Sequence, residues 1–233
     1  MRHIRSMFCS IMRSMTRSVS LALALCVLLA AQSHASEVTD GIQKRYRAAK
    51  TMTAQFTQVL RHKESGAVEN RSGSLFFKAP ERIRWVTEKP SPELLVVNPE
   101  AVWNYFKDEE VAYKYPASLV HETKTALRFI TGKANLEDDF YIEKQAPQDG
   151  MTVLHLFAKE PSTDLTEATL WISPEYEVAR ILTVDFYGNE NEIHFGSMAF
   201  DKPLEDSFFE FTPPKGVDVE DRTQSVPEQG IKE

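Results

Sequence analysis

Histidine is the side chain best suited to acid–base or metal chemistry at neutral pH, and four of the six histidines, His62, His121, His155 and His194, lie beyond the N-terminal segment. No pair stands in an H-E-x-x-H or i, i+4 arrangement, so no helical metal clasp is formed. His155 and His194 fall on separate predicted strands, where half-exposed histidines are the ordinary expectation. Both cysteines, Cys9 and Cys26, precede the folded region. No G-x-S-x-G elbow, P-loop or G-x-G-x-x-G occurs. The acidic pairs Glu109-Glu110 and Asp138-Asp139 sit in apparent loops and read as solvated turn acids rather than a glycosidase pair. No catalytic residue, metal or cofactor is expected.

The aromatic residues say more. Phe76, Phe77, Trp85, Trp103, Tyr105, Phe106, Phe157, Trp171, Phe186 and Phe195 all fall on predicted strands. The stretch from Gly73 to Trp85 sets the pattern: Leu75–Lys78 reads as a strand, Ala79-Pro80-Glu81 as a break, and Arg82–Thr87 as a second strand. In that second strand Arg82, Ile83, Arg84 and Trp85 alternate charged and apolar, the period of a sheet with one wet and one dry face. The dry face is either a core or the wall of a cavity.

The elements needed to position such a face are mostly short strands. Residues 36–50 form an amphipathic helix with Val38, Ile42, Tyr46 and Ala49 on one stripe. Strands are predicted at Thr53–Leu60, Val68–Lys78, Arg82–Thr87, Leu94–Val97, Val102–Phe106 and Val111–Tyr115, punctuated by Pro90, Pro92 and Asn98-Pro99-Glu100. The period turns helical over Leu119–Thr131, and weak helical character recurs at Leu136–Phe140. Strands resume at Tyr141–Gln145, Thr152–Ala158, Ala168–Ser173, Ala179–Phe186, Glu192–Phe195 and around Phe208–Phe211. The tail after Val219 is polar and expected to be poorly ordered. About eleven short strands predict an antiparallel meander curved into a barrel wider than side chains alone fill, and an apolar-stripe helix in mid-chain needs a place on its concave face or mouth.

The N-terminus reads as an export signal. Arg2, Arg5, Arg13 and Arg17 precede an apolar run from Val19 to Ala31, and Ser33-His34-Ala35 supplies small residues for cleavage. The run is shorter than the roughly 20 residues that span a bilayer. Leu25 before Cys26 is too bulky for a lipoprotein cleavage site. Cleavage after Ala35 leaves 198 of the 233 residues, removes both cysteines, and moves the formal charge from −7 to −11 because four arginines leave with no acid. Expected boundaries are a signal peptide at 1–35, one domain at 36–221 and a polar tail at 222–233. The acidic balance argues against nucleic acid as a partner. The expected compartment is the periplasm.

Several segments together carry a resemblance: Ala54-Gln55-Phe56-Thr57-Gln58, Gly73–Trp85 followed by Pro90, Leu94-Leu95-Val96-Val97, Val102-Trp103-Asn104-Tyr105, and Phe211-Thr212-Pro213-Pro214-Lys215-Gly216-Val217. In this order they resemble the periplasmic outer-membrane lipoprotein carrier family, LolA, over nearly the whole chain beyond residue 35. The resemblance implies an incomplete antiparallel β-barrel of about eleven strands with an α-helical lid over a hydrophobic cavity. It implies no enzyme. It implies instead a monomeric carrier that takes acylated lipoproteins from an inner-membrane ABC-transporter release complex to an outer-membrane receptor lipoprotein. The alternative on the same fold is a carrier or sensor of another lipid, such as a glycolipid or fatty acid.

By the same resemblance Ile83 and Trp85 face the cavity. Leu75 and Phe77 share that face unless the adjacent phase, Phe76 and Lys78, is the inner one. Leu95, Trp103 and Tyr105 are assigned to the same lining, and Leu127 and Ile130 to the underside of the lid. Ala79 departs from the family, where an arginine between Lys78 and Pro80 bonds to the lid and holds the empty form closed. Arg82 or Arg84 then substitutes, or the lid is held by packing alone.

Overall fold

The computed structural model describes residues 37–119, 129, 131 and 134–223. The chain divides into two compact units, Met1–Asp40 and Gly41–Glu233, and the fold below is that of the second. Its first element completes a helix, α1 (residues 37–48). Twelve strands follow: β1 (Thr51–Arg61), β2 (Val68–Lys78), β3 (Arg82–Lys89), β4 (Glu93–Val97), β5 (Ala101–Phe106), β6 (Val111–Pro116), β7 (Phe140–Gln148), β8 (Met151–Ala158), β9 (Glu167–Ile172), β10 (Val178–Val184), β11 (Glu190–Phe200) and β12 (Asp218–Asp221). A one-turn helix, α2 (Leu136–Asp139), precedes β7.

All twelve strands belong to one sheet in the order β12-β6-β5-β4-β3-β2-β1-β11-β10-β9-β8-β7. Two meanders, β1–β6 and β7–β11, are joined by the antiparallel pairing of β1 with β11. The sheet is open, with β12 and β7 as its edges. β12 is a four-residue strand parallel to β6, and the outer half of β7, through Pro147, is exposed and polar. The polar tail thus contributes a strand, because backbone pairing to β6 needs no apolar side chain. The strand expected around Phe208–Phe211 is instead a 3-10 turn, Asp206–Phe209.

Strand registry sorts the side chains into two faces. Met52, Ala54 and Phe56 of β1 lie level with Phe77, Leu75 and Gly73 of β2. Phe77 and Leu75 in turn lie level with Ile83 and Trp85 of β3. On the other meander Ile193, Ile181, Leu170 and Leu154 form a matching row. Nearly all are buried, and together they form one continuous core face.

Of the four residues expected on the first-helix stripe, Ile42, Tyr46 and Ala49 are buried, whereas Val38 is only half-buried and Thr39 beside it is fully buried. Ile42, Phe129, Ala134 and Leu136 gather around Leu170 and Val178, so helical residues cover the core face over β9 and β10. Tyr46 anchors this cover: its hydroxyl accepts from the Val178 backbone N–H at 3.0 Å. Burial holds that phenol well above its ordinary pKa. Of the helix predicted over Leu119–Thr131, Leu119 and Phe129 are helical; the lid positions Leu127 and Ile130 lie outside the described residues.

Candidate functional site

The core face changes character from β1 to β6. Leu75, Phe77 and Ile83 are at most 3% exposed, whereas Trp85, Leu95, Asn104 and Tyr113 are only half-buried. These last four form one cross-strand row, Trp85 opposite Leu95, Leu95 opposite Asn104, and Asn104 opposite Tyr113. A second row runs Ile83, Val97, Val102 and Tyr115. The result is an apolar wall, packed tight at β1–β2 and opening toward β6.

Five of the seven predicted lining residues, Leu75, Phe77, Ile83, Trp85 and Leu95, share this wall. The open question of phase on β2 is resolved in favour of Leu75 and Phe77, since Phe76 meets Phe208 on the opposite face with ring centres 4.9 Å apart. Trp103 and Tyr105 do not share the wall. The turn between β4 and β5 pairs Val97 with Val102 and closes through the Asn98 N–H to the Ala101 carbonyl at 3.1 Å, so odd positions on β4 face the same way as even positions on β5. The wall therefore receives Val102, Asn104 and Phe106. Registry places Trp103 opposite Val96, on the other face from Leu95.

Trp103 and Tyr105 instead hold the chain that returns across the opposite face. Residues 201–217 form a strap there, with Phe211 set 5.5 Å from Trp103 and 5.4 Å from Tyr105 between ring centres. Asp206 pairs with Lys78 at 2.5 Å and with Arg82 at 3.2 Å, and these cations hold its carboxyl below the ordinary aspartate range. Arg84 donates to the Phe208 carbonyl at 3.2 Å and lies over the Phe208 ring, where burial lowers its pKa. Phe209 is fully buried. Beside the strap Arg82, Asn98, Trp103, Lys114 and Phe211 border a groove of about 500 Å³. Arg82 and Arg84 are thus engaged on the face away from Ile83 and Trp85. Ala79 is exposed, and its backbone N–H donates to the Lys50 carbonyl at 2.8 Å.

The sequence from residue 47 to residue 212 matches the model of the family described as outer membrane lipoprotein carrier protein LolA. The chain belongs to this family. An outer-membrane lipoprotein carrier protein of Methylococcus capsulatus is 33% identical over 173 residues, covering 73% of this chain and 81% of the relative. A protein of the same description from Pseudoalteromonas translucida is 28% identical, covering 88% and 96%. Among solved structures, an uncharacterized conserved protein from Thermus thermophilus shares the fold with a TM-score of 0.54 at 16% identity, covering 81% of this chain and 99% of its own.

His155 and His194 do not converge. His155 on β8 pairs with Glu167 at 3.0 Å, and His194 on β11 pairs with Glu192 at 2.6 Å. They stand three strands apart, about 14 Å at sheet spacing. Glu192 is also bound by Arg61 at 2.8 Å and Arg180 at 2.5 Å. Burial disfavours its charge, but the bonds from Arg61 and His194 and the charge of Arg180 outweigh this and set its pKa below the ordinary glutamate value.

Proposed function

We propose that this LolA-family chain is a non-enzymatic periplasmic carrier that holds the acyl chains of lipoproteins against the wall bearing Leu75, Phe77, Ile83, Trp85 and Leu95, and moves them from the inner to the outer membrane. The observation that carries the reading is the apolar row from Leu75 to Leu95, which turns from buried to half-buried along one face of an open sheet. The physical need is plain. Each CH₂ removed from water is worth about 0.8 kcal/mol, so one long chain represents roughly 10 kcal/mol and a multiply acylated terminus does not cross water unaided. An inner-membrane ABC-transporter complex as donor and an outer-membrane receptor lipoprotein as acceptor complete the route, and a cleaved N-terminal signal delivers the carrier to the periplasm.

Leu95 and its neighbour Leu94 test this directly, because they sit on opposite faces of β4. Ile83 is 1% exposed, so a charge there strikes folding as well as binding, whereas Leu95 is half-buried. Leu95→Glu places a charge in the apolar wall. It is expected to abolish release of lipoprotein from inner membranes into the soluble fraction, while Leu94→Glu retains it. Equal activity of the two variants refutes the assignment of the wall. Mass spectrometry of material co-purified from the periplasm separates acylated lipoproteins from a loose glycolipid or fatty acid.

A further inference from the structure

The row that crosses the wall from β2 to β6 reads Leu75, Trp85, Leu95, Asn104, Tyr113. Asn104 interrupts it with an amide, flanked along its own strand on the same face by Val102 and Phe106. Its Oδ1 is buried and accepts no hydrogen bond. Leaving a carbonyl oxygen dry and unpaired is costly, and such atoms in folded chains almost always find a donor. The other asparagine of this region, Asn98, is fully used: its Oδ1 accepts from the N–H groups of Glu100 and Ala101, and its Nδ2 donates to the Phe209 carbonyl. Arg45 Nε, Ser162 Oγ and Arg180 Nε are also buried without a partner, but of these four atoms only Asn104 Oδ1 belongs to a residue of the wall.

We propose that Asn104 Oδ1 is a polar subsite within the apolar wall, which accepts a hydrogen bond from the head group of an acylated ligand. The proposal rests on the carrier reading and sharpens it. A lone acceptor needs a donor, and the amide N–H of an N-acylated peptide supplies one beside its chains. An ionised fatty acid brings none, and its carboxylate would meet the Asn104 oxygen with like polarity. The subsite therefore favours N-acylated peptide heads over free fatty acids, and it places the junction of head and chains near β5.

Two ligands with the same three acyl chains separate head recognition from chain burial: a synthetic triacylated lipopeptide, which carries N–H donors, and the matching triacylglycerol, which carries none. Binding of each is measured by intrinsic tryptophan fluorescence to the wild-type chain and to Asn104→Leu. The expected result is a three- to ten-fold weaker affinity of Asn104→Leu for the lipopeptide, about the worth of one hydrogen bond. Affinity for the triacylglycerol is unchanged or tighter, and the melting temperature is no lower. An unchanged lipopeptide affinity, or an equal loss for both ligands, overturns the subsite. Should Asn104→Leu fail to fold, Asn104→Met makes the same comparison. If the wild-type chain binds neither ligand, the carrier reading falls and the subsite with it.

Discussion

The ring of Phe56 on β1 lies 4.6 Å, centre to centre, from the ring of Trp85 on β3, although β2 runs between them. Gly73 makes this possible. It is the residue of β2 opposite Phe56, and it leaves the core face bare at that point. A Cβ built on Gly73 would sit 1.8 Å from the Val86 carbonyl oxygen, at the irregularity where β3 takes one extra residue against Ser72 and Gly73. Backbone rather than a flexible side chain would have to move. Gly73→Ala is expected to lower the unfolding free energy by about 2–4 kcal/mol and to weaken pairing of β2 with β3. Urea denaturation measures the first, and amide exchange at Gly73–Phe77 measures the second.

The strap depends on one buried ring. Phe209 has no exposed surface, so Phe209→Ala is expected to cost about 3–5 kcal/mol and to speed amide exchange across residues 206–222. Because the strap crosses the face opposite the wall, ligand binding by the variant is expected to persist at temperatures where it remains folded. Exchange mass spectrometry with a parallel binding assay checks both.

Tyr46→Phe removes a hydroxyl that accepts from the Val178 N–H and donates to Met198 Sδ at 3.7 Å. The Val178 N–H donates to the Tyr46 hydroxyl at 3.0 Å in a buried setting. Removing the hydroxyl leaves that N–H without its acceptor, and a loss of about 1–3 kcal/mol is expected. A calorimetric melting temperature equal to that of the wild type would show that the contact contributes nothing.

Glu192 gives the fold an acid-sensitive component. Its folded pKa lies below the ordinary glutamate value, so the unfolded chain binds this proton more readily. The stabilisation is present above the ordinary glutamate pKa and is lost as pH falls through the lower, folded value. Glu192→Gln is expected to be less stable at neutral pH and to show a flatter acid limb. Thermal melts from pH 7 down to pH 3 on both proteins test the sign.

Local pattern carried much of this fold. The alternation Arg82-Ile83-Arg84-Trp85 placed two arginines and two apolar residues on opposite faces, and the structure keeps them there. Eleven of the twelve predicted strands survive nearly in place; at the twelfth, around Phe208–Phe211, the ring of Phe209 is buried by a turn instead. β12 was illegible because its residues, Asp218 to Asp221, are exposed and join β6 mainly through the backbone, with one ion pair from Asp221 to Lys114. The wall was legible strand by strand but not across strands. Whether Leu95 faces Trp103 or Asn104 depends on the parity set by the turn at Asn98, which side-chain periodicity within either strand does not encode. Asn104 is hidden for the same reason: between Trp103 and Tyr105 it reads as the polar side of a strand until registry turns that side inward.

The open sheet also bears on how this chain behaves in a crowd of its own copies. A sheet that does not close presents two rows of unpaired backbone groups, each a potential template for another molecule's strand. Neither row offers much purchase here. β12 is four residues long, exposed throughout, and carries three carboxylates in the run Asp-Val-Glu-Asp, so a second copy would bring like charge to it. The opposite edge has Pro147, which cannot donate, and Glu143 and Lys144 in its exposed half. The chain can keep its sheet unsealed without polymerising edge to edge.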